Sequence, residues 1–91
     1  MFDIRYSKQA VNFLKSAEKM LIKRILKKIE TLKENPIQHD SKVVEGYEEK
    51  LFRIRIGDYR ILYEVDYRNN QLGIVKIDKR SKVFRNKFVM S

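Results

Sequence analysis

Apolar and polar residues change period several times along this chain, and each change marks an element. Phe2-Asp3-Ile4-Arg5-Tyr6 alternates, which predicts a short first strand. Ser7 is placed to cap a helix, and Ala10, Phe13, Leu14 and Ala17 then repeat at helical spacing. A break around Ala17–Met20 separates this helix from a second one. There Leu21, Ile22, Ile25, Leu26, Ile29 and Leu32 form one stripe, with Lys23, Arg24, Lys27 and Lys28 on the other face. Asn35-Pro36 ends it, because a residue before proline is pushed out of the α region. Residues 35–50 read as a polar loop. Three strands follow at roughly 50–56, 59–67 and 71–79, the last two joined by a turn at Asn69-Asn70. Val83, Phe84, Phe88 and Val89 suit a short terminal helix or an extended tail.

The order β-α-α-β-β-β implies a single α+β domain over residues 1–91, with a helical pair packed on one face of a small, largely antiparallel sheet. A two-residue turn at Gly57-Asp58 fixes the register of the central hairpin. Ile56 then faces Tyr59, Arg55 faces Arg60, Ile54 faces Ile61 and Arg53 faces Leu62. One side carries Phe52, Ile54, Ile56, Tyr59, Ile61, Tyr63 and Val65, a core surface for the helices. The other carries Leu51, Arg53, Arg55, Arg60, Leu62 and Glu64.

Composition makes those arginines more pointed. Lys and Arg number 21 against 12 Asp and Glu, a net charge of +9 on 91 residues. Such an excess favours polyanionic partners, nucleic acid above all, although an acidic protein or an anionic membrane surface would satisfy the same charge. Hydrophobic residues make up 43% of the chain, enough for one modest core. Absence of cysteine excludes disulfides and thiolate metal sites, and the lone His39 assembles no metal site around it. No cofactor is expected. MFDIRYSKQ lacks the apolar run of a signal peptide and no segment approaches spanning length, so the expected location is cytoplasmic, away from membranes.

The basic face of the second helix reads most simply as a solvated helix surface. The hairpin asks for more. Arginines directly opposite one another repel, where favourable cross-strand pairs contribute roughly 0.2–1 kcal/mol. A wet sheet face, with Glu64 or Asp66 softening the repulsion, explains the alternation but not the uniform positive charge near the turn. A phosphate site explains both, since guanidinium groups match phosphate oxygens bidentately. Lys79-Arg80 at the end of the next strand adds to it.

The run Leu51-Phe52-Arg53-Ile54-Arg55-Ile56-Gly57-Asp58-Tyr59-Arg60-Ile61-Leu62-Tyr63-Glu64-Val65 resembles the signature hairpin of the RelE/ParE toxin superfamily. Asp78-Lys79-Arg80-Ser81-Lys82-Val83-Phe84-Arg85 resembles that family's closing motif, a basic pair followed by Val-Tyr-Arg. With the first strand, the helical hairpin and the length, the resemblance covers nearly the whole chain. It implies a microbial-ribonuclease-like fold and the toxin of a type II toxin–antitoxin system. In the RelE branch such a toxin is a metal-independent endoribonuclease that cuts messenger RNA in the ribosomal A site. The implied partners are the ribosome, messenger RNA and an acidic RelB-like antitoxin in a hetero-oligomeric complex. An antitoxin segment that folds on binding is expected to mask the arginine face or move the 81–91 tail.

Carried over residue by residue, the resemblance implies catalytic roles for Arg53, Arg55, Arg60 and Arg80. Arg60 and Arg80 would hold the scissile phosphate, while Arg53 and Arg55 would position neighbouring phosphates and lower the pKa of the attacking hydroxyl. Lys79, Lys82, Phe84 and Arg85 would contact RNA. The family's tyrosine is here Phe84, which can stack on a base but cannot transfer a proton. Glu45, before Gly46, occupies a position where the family often places a base, but reads first as a loop carboxylate; Tyr47 is the loop tyrosine with reach to the site. Two alternatives remain: a ParE-like inhibitor of DNA gyrase, and an inactive relative that only binds RNA or antitoxin.

Overall fold

The computed structural model describes residues 1–48 and 50–79. Strand β1 (Asp3–Tyr6) leads into helices α1 (Lys8–Ser16) and α2 (Lys19–Glu34), followed by strands β2 (Lys42–Val44), β3 (Leu51–Ile56), β4 (Tyr59–Asp66) and β5 (Gln71–Lys79). The strands form one sheet in the order β1-β5-β4-β3-β2. β1 runs parallel to β5, and the other neighbours are antiparallel. This is the expected α+β arrangement with one more strand.

The extra strand is β2, inside the segment expected to be a loop. Its three residues are too few to show a period. They pair with the outer edge of β3, with Lys42 opposite Arg53 and Val44 opposite Leu51. The loop before it is pinned from below. Tyr63, fully buried, donates its hydroxyl proton to the Pro36 carbonyl at 2.6 Å and shares a 2.7 Å hydrogen bond with Ser41 Oγ.

Ser7 caps α1 as expected, accepting from the Ala10 amide at 3.1 Å. Its hydroxyl also donates to the Val75 carbonyl at 2.6 Å. That carbonyl belongs to a bulge: Leu62 pairs with Lys76 but Tyr63 pairs with Ile74, leaving Val75 as the extra residue on β5. Beyond the end of β1, the Gln9 side chain continues the pairing, its amide bonding both the Ile77 carbonyl (2.8 Å) and amide (2.9 Å). The Ser7 and Gln9 contacts fasten the start of α1 to the second half of β5.

Both helices cover one side of the sheet. Ala10 of α1 and Leu21, Ile25, Ile29 and Leu32 of α2 pack on Phe52, Ile54, Ile56, Ile61, Tyr63, Leu72, Ile74 and Ile77. The buried stripe of α2 is narrower than its sequence period suggests, since Leu26 is 40% exposed. α2 stops at Asn35, as expected before proline.

Candidate phosphate-binding face

The hairpin turn sets the site. Gly57 takes a φ of 59°, and of the two turn residues it alone has a positive φ, as a turn with glycine first requires. The register is the expected one: Ile56 opposite Tyr59, Arg55 opposite Arg60, Ile54 opposite Ile61, Arg53 opposite Leu62. Arg53, Arg55 and Arg60 therefore share the side of the sheet away from the helices. Arg55 is exposed, and Arg53 and Arg60 are half-buried. Leu51 and Leu62 lie on that same side and are buried, outside the helix-side core.

The bulge at Val75 decides what joins them. Without it, unbroken alternation would put Lys76 and Asp78 with Ile74, under the helices. The extra residue reverses the sides, so Ile77 enters the core while Lys76 and Asp78 join the arginines. Asp78 pairs directly with Arg60. Its Oδ1 lies 3.5 Å from Arg60 Nε and its Oδ2 lies 3.4 Å from Lys76 Nζ. Arg60 thus stands between a like charge on β3 and an opposite charge on β5.

The carboxylate that offsets Arg60 is thus Asp78, not the Glu64 or Asp66 that strand alternation offers. Glu64 instead lies over Gly73, where an added Cβ would come within 3.1 Å of its Cγ and Oε1. Asp66 accepts from both the Asn69 amide (3.1 Å) and Asn69 Nδ2 (2.8 Å). Those hydrogen bonds hold its carboxyl below the usual carboxylate range. Neither carboxylate makes an ion pair with the three arginines among the described residues.

The same reversal moves Lys79. It pairs with Tyr59 and so takes the helix side of the sheet, not the side of Arg60. Arg80, Lys82, Phe84 and Arg85, with the terminal helix or tail, lie outside the described residues. Glu45 and Tyr47 are exposed, and Glu45 forms no ion pair among the described residues. His39 is exposed in its loop, and no cluster of metal-ligating side chains occurs among the described residues. No helix there is long and apolar enough to cross a membrane.

The arrangement can bind anions. Three guanidinium groups from two adjacent strands present donors to one region of a rigid sheet, and an ammonium group stands beside them. The family model described as the ParE toxin of a type II toxin–antitoxin system, parDE, matches residues 4–84. The chain belongs to the RelE/ParE toxin superfamily. A Methanocaldococcus jannaschii protein named as toxin RelE1 is 33% identical over 88 residues, covering 93% of this chain and 97% of that relative. The toxin in the crystal structure of the archaeal RelE–RelB complex from Pyrococcus horikoshii superposes with a TM-score of 0.76 at 29% identity, over 89% of this chain and 97% of that one. Isolated Escherichia coli RelE gives the same TM-score, 0.76, at 17% identity over 99% of this chain and 98% of that one, a likeness of fold alone. The superfamily toxin described here is therefore RelE-like in fold, with Arg53, Arg55 and Arg60 on the sheet face that the helices leave uncovered.

Proposed function

We propose that this toxin is a ribosome-dependent endoribonuclease that cleaves messenger RNA in the ribosomal A site and is held inactive by an acidic, RelB-like antitoxin. The observation that carries the reading is the placement of Arg60, flanked by Arg55 and diagonal to Arg53 on one sheet face. Cleavage by the ribose 2′-hydroxyl forms a 2′-oxygen–phosphorus bond and breaks the bond from phosphorus to the 5′-oxygen. The 2′-hydroxyl proton leaves and the 5′-oxygen gains one, giving a 2′,3′-cyclic phosphate. Negative charge accumulates on the phosphoryl oxygens meanwhile, and fixed cations aimed at it are commonly the largest catalytic contribution. Arg60 is assigned to the scissile phosphate, with Arg80 as its expected companion. Arg53 and Arg55 are assigned to the flanking phosphates.

Arginine stays protonated near neutrality and serves poorly as a general base. Proton transfer is accordingly assigned to groups supplied by the ribosome and the substrate. The antitoxin assignment rests on two points: the family is defined by toxin–antitoxin systems, and the similar Pyrococcus protein is named in complex with RelB. A net charge of +9 suits an acidic partner.

A second reading has one specific observation behind it, since the matching family model is named for ParE. On that reading the chain binds DNA gyrase and cuts nothing. Primer extension on a defined messenger with programmed ribosomes separates the two. Cuts in the A-site codon that disappear with Arg60→Ala are expected. A folded, antitoxin-competent protein that produces no cuts but inhibits gyrase supercoiling would overturn the nuclease reading.

A further inference from the structure

The arginine face has a carboxylate in its midst, and the bulge at Val75 is what brings it there. Asp78 reaches two cations with its two oxygens, Arg60 Nε at 3.5 Å and Lys76 Nζ at 3.4 Å. Its side chain is 16% exposed and that of Arg60 17%, so the pair is largely withdrawn from water. Yet Arg60 Nε and Asp78 Oδ1 are both buried atoms without a hydrogen-bond partner among the described residues. A charge-assisted hydrogen bond normally closes to about 2.7–2.9 Å. Here the charges face each other and the hydrogen bond is not made. Arg60 is oriented by Coulomb attraction while its Nε–H finds no acceptor among the described residues, a state that favours replacement by a better one.

We infer that Asp78 is a positioning residue that holds Arg60 over the sheet and competes with the substrate phosphate for it. This rests on the assignment of Arg60 to an RNA phosphate. An arriving phosphate offers the guanidinium a bidentate partner and completes the missing hydrogen bond. Asp78 therefore lowers the affinity of the face for RNA while keeping its central arginine in place. Lys76, exposed beside it, remains partnered by the carboxylate when Arg60 turns to phosphate.

The test is a double-mutant cycle read by fluorescence anisotropy with a labelled single-stranded RNA oligonucleotide, on wild type, D78N, R60A and D78N/R60A. D78N keeps the shape and removes the charge, and is expected to bind about tenfold tighter. In the R60A background the same change is expected to matter by less than about twofold. D78E, which keeps the charge, is expected to bind like wild type. The Arg60 Nε–H resonance supplies a readout independent of affinity: it should shift in D78N and shift again on adding RNA to wild type. Should D78N fail to fold, D78S removes the same charge with a smaller side chain. An equal gain in both backgrounds would mean that Asp78 acts as bulk charge, and would overturn the inference. So would an unchanged Arg60 resonance in D78N. If R60A leaves RNA affinity untouched, the phosphate assignment itself falls and takes this inference with it. RNA binding that depends on Arg60 but not on Asp78 removes only the inference.

Discussion

Arg55→Gln should make this protein more stable and a poorer binder of RNA. Arg55 is exposed and stands directly across from Arg60, so the substitution removes one of two like charges that the hairpin register forces together. Cross-strand pairs of this kind shift stability by roughly 0.2–1 kcal/mol. Exposure of Arg55 allows solvent to screen the repulsion, and Asp78 already offsets part of the charge on Arg60. The expected gain is therefore in the middle of that range, about 0.5 kcal/mol. For a domain of this size that is a rise of about 2–4 °C in Tm. Urea denaturation at low and high salt measures it, and the gain should shrink as salt screens the repulsion it relieves. RNA affinity measured against salt on the same samples should show a log–log slope shallower by about 0.7, the loss of one phosphate contact on a single strand. A variant that is less stable than wild type, or equally stabilised at all salt concentrations, would refute the account of strain. An unchanged salt slope would remove Arg55 from the binding face.

Two further substitutions probe the scaffold that holds this face. Tyr63→Phe removes hydrogen bonds to the Pro36 carbonyl and the Ser41 hydroxyl, and should cost about 1–2 kcal/mol in urea denaturation. Burial, first of all, raises the Tyr63 pKa above the ordinary tyrosine value, so its contribution is complete below that value and is lost as pH rises through the folded pKa. The gap between wild type and Tyr63→Phe should accordingly narrow in strong alkali, and a gap constant with pH would contradict the burial of its hydroxyl. Gly57→Ala places a side chain at a φ of 59° and brings a Cβ within 2.9 Å of Arg24 Nη2. Arg24 is long, exposed and able to move aside, so the cost should be mainly backbone strain, about 1–2 kcal/mol. Loss of a full cooperative transition would show instead that the turn nucleates the sheet.

Most of the helix-side core was legible because its residues repeat. Ile54 and Ile61, or Ile25 and Ile29, report the period of their elements directly, and Gly57-Asp58 fixes the hairpin to the residue. Asn35-Pro36 ends α2 for a reason that is local to the backbone. What escaped is what depends on neighbours. Lys42–Val44 becomes a strand only because β3 offers it an edge, and three residues carry no signal of their own. The bulge left a trace, the spacing of three between Ile74 and Ile77 in a strand that otherwise alternates. That spacing reverses the sides of everything after Val75, bringing Asp78 to Arg60 and taking Lys79 away. The arginines of the candidate site were thus legible and their counter-ion was not.

Membership in the superfamily fixes the fold but does not choose between cutting RNA and binding gyrase, a choice that on the proposed reading turns on the chemistry of one sheet face. The packing of that face does not require arginine. At Leu51 and Leu62 the same side of the same two strands buries leucine, at 2% and 3% exposure. A few residues nearer the turn it carries Arg53, Arg55 and Arg60, two of them opposed, with an ion pair that leaves a buried N–H and a buried carboxylate oxygen without hydrogen bonds among the described residues. Each of those features costs stability, and none is needed to close a hairpin whose register is already set by Gly57 and by the isoleucines on the other side. Local strain concentrated in one region of an otherwise consistent fold is the physical signature of a site. On the proposed reading, the Arg60 Nε–H that Asp78 leaves without a hydrogen bond among the described residues is taken up by a phosphodiester, whose oxygens and charge suit it as an acceptor.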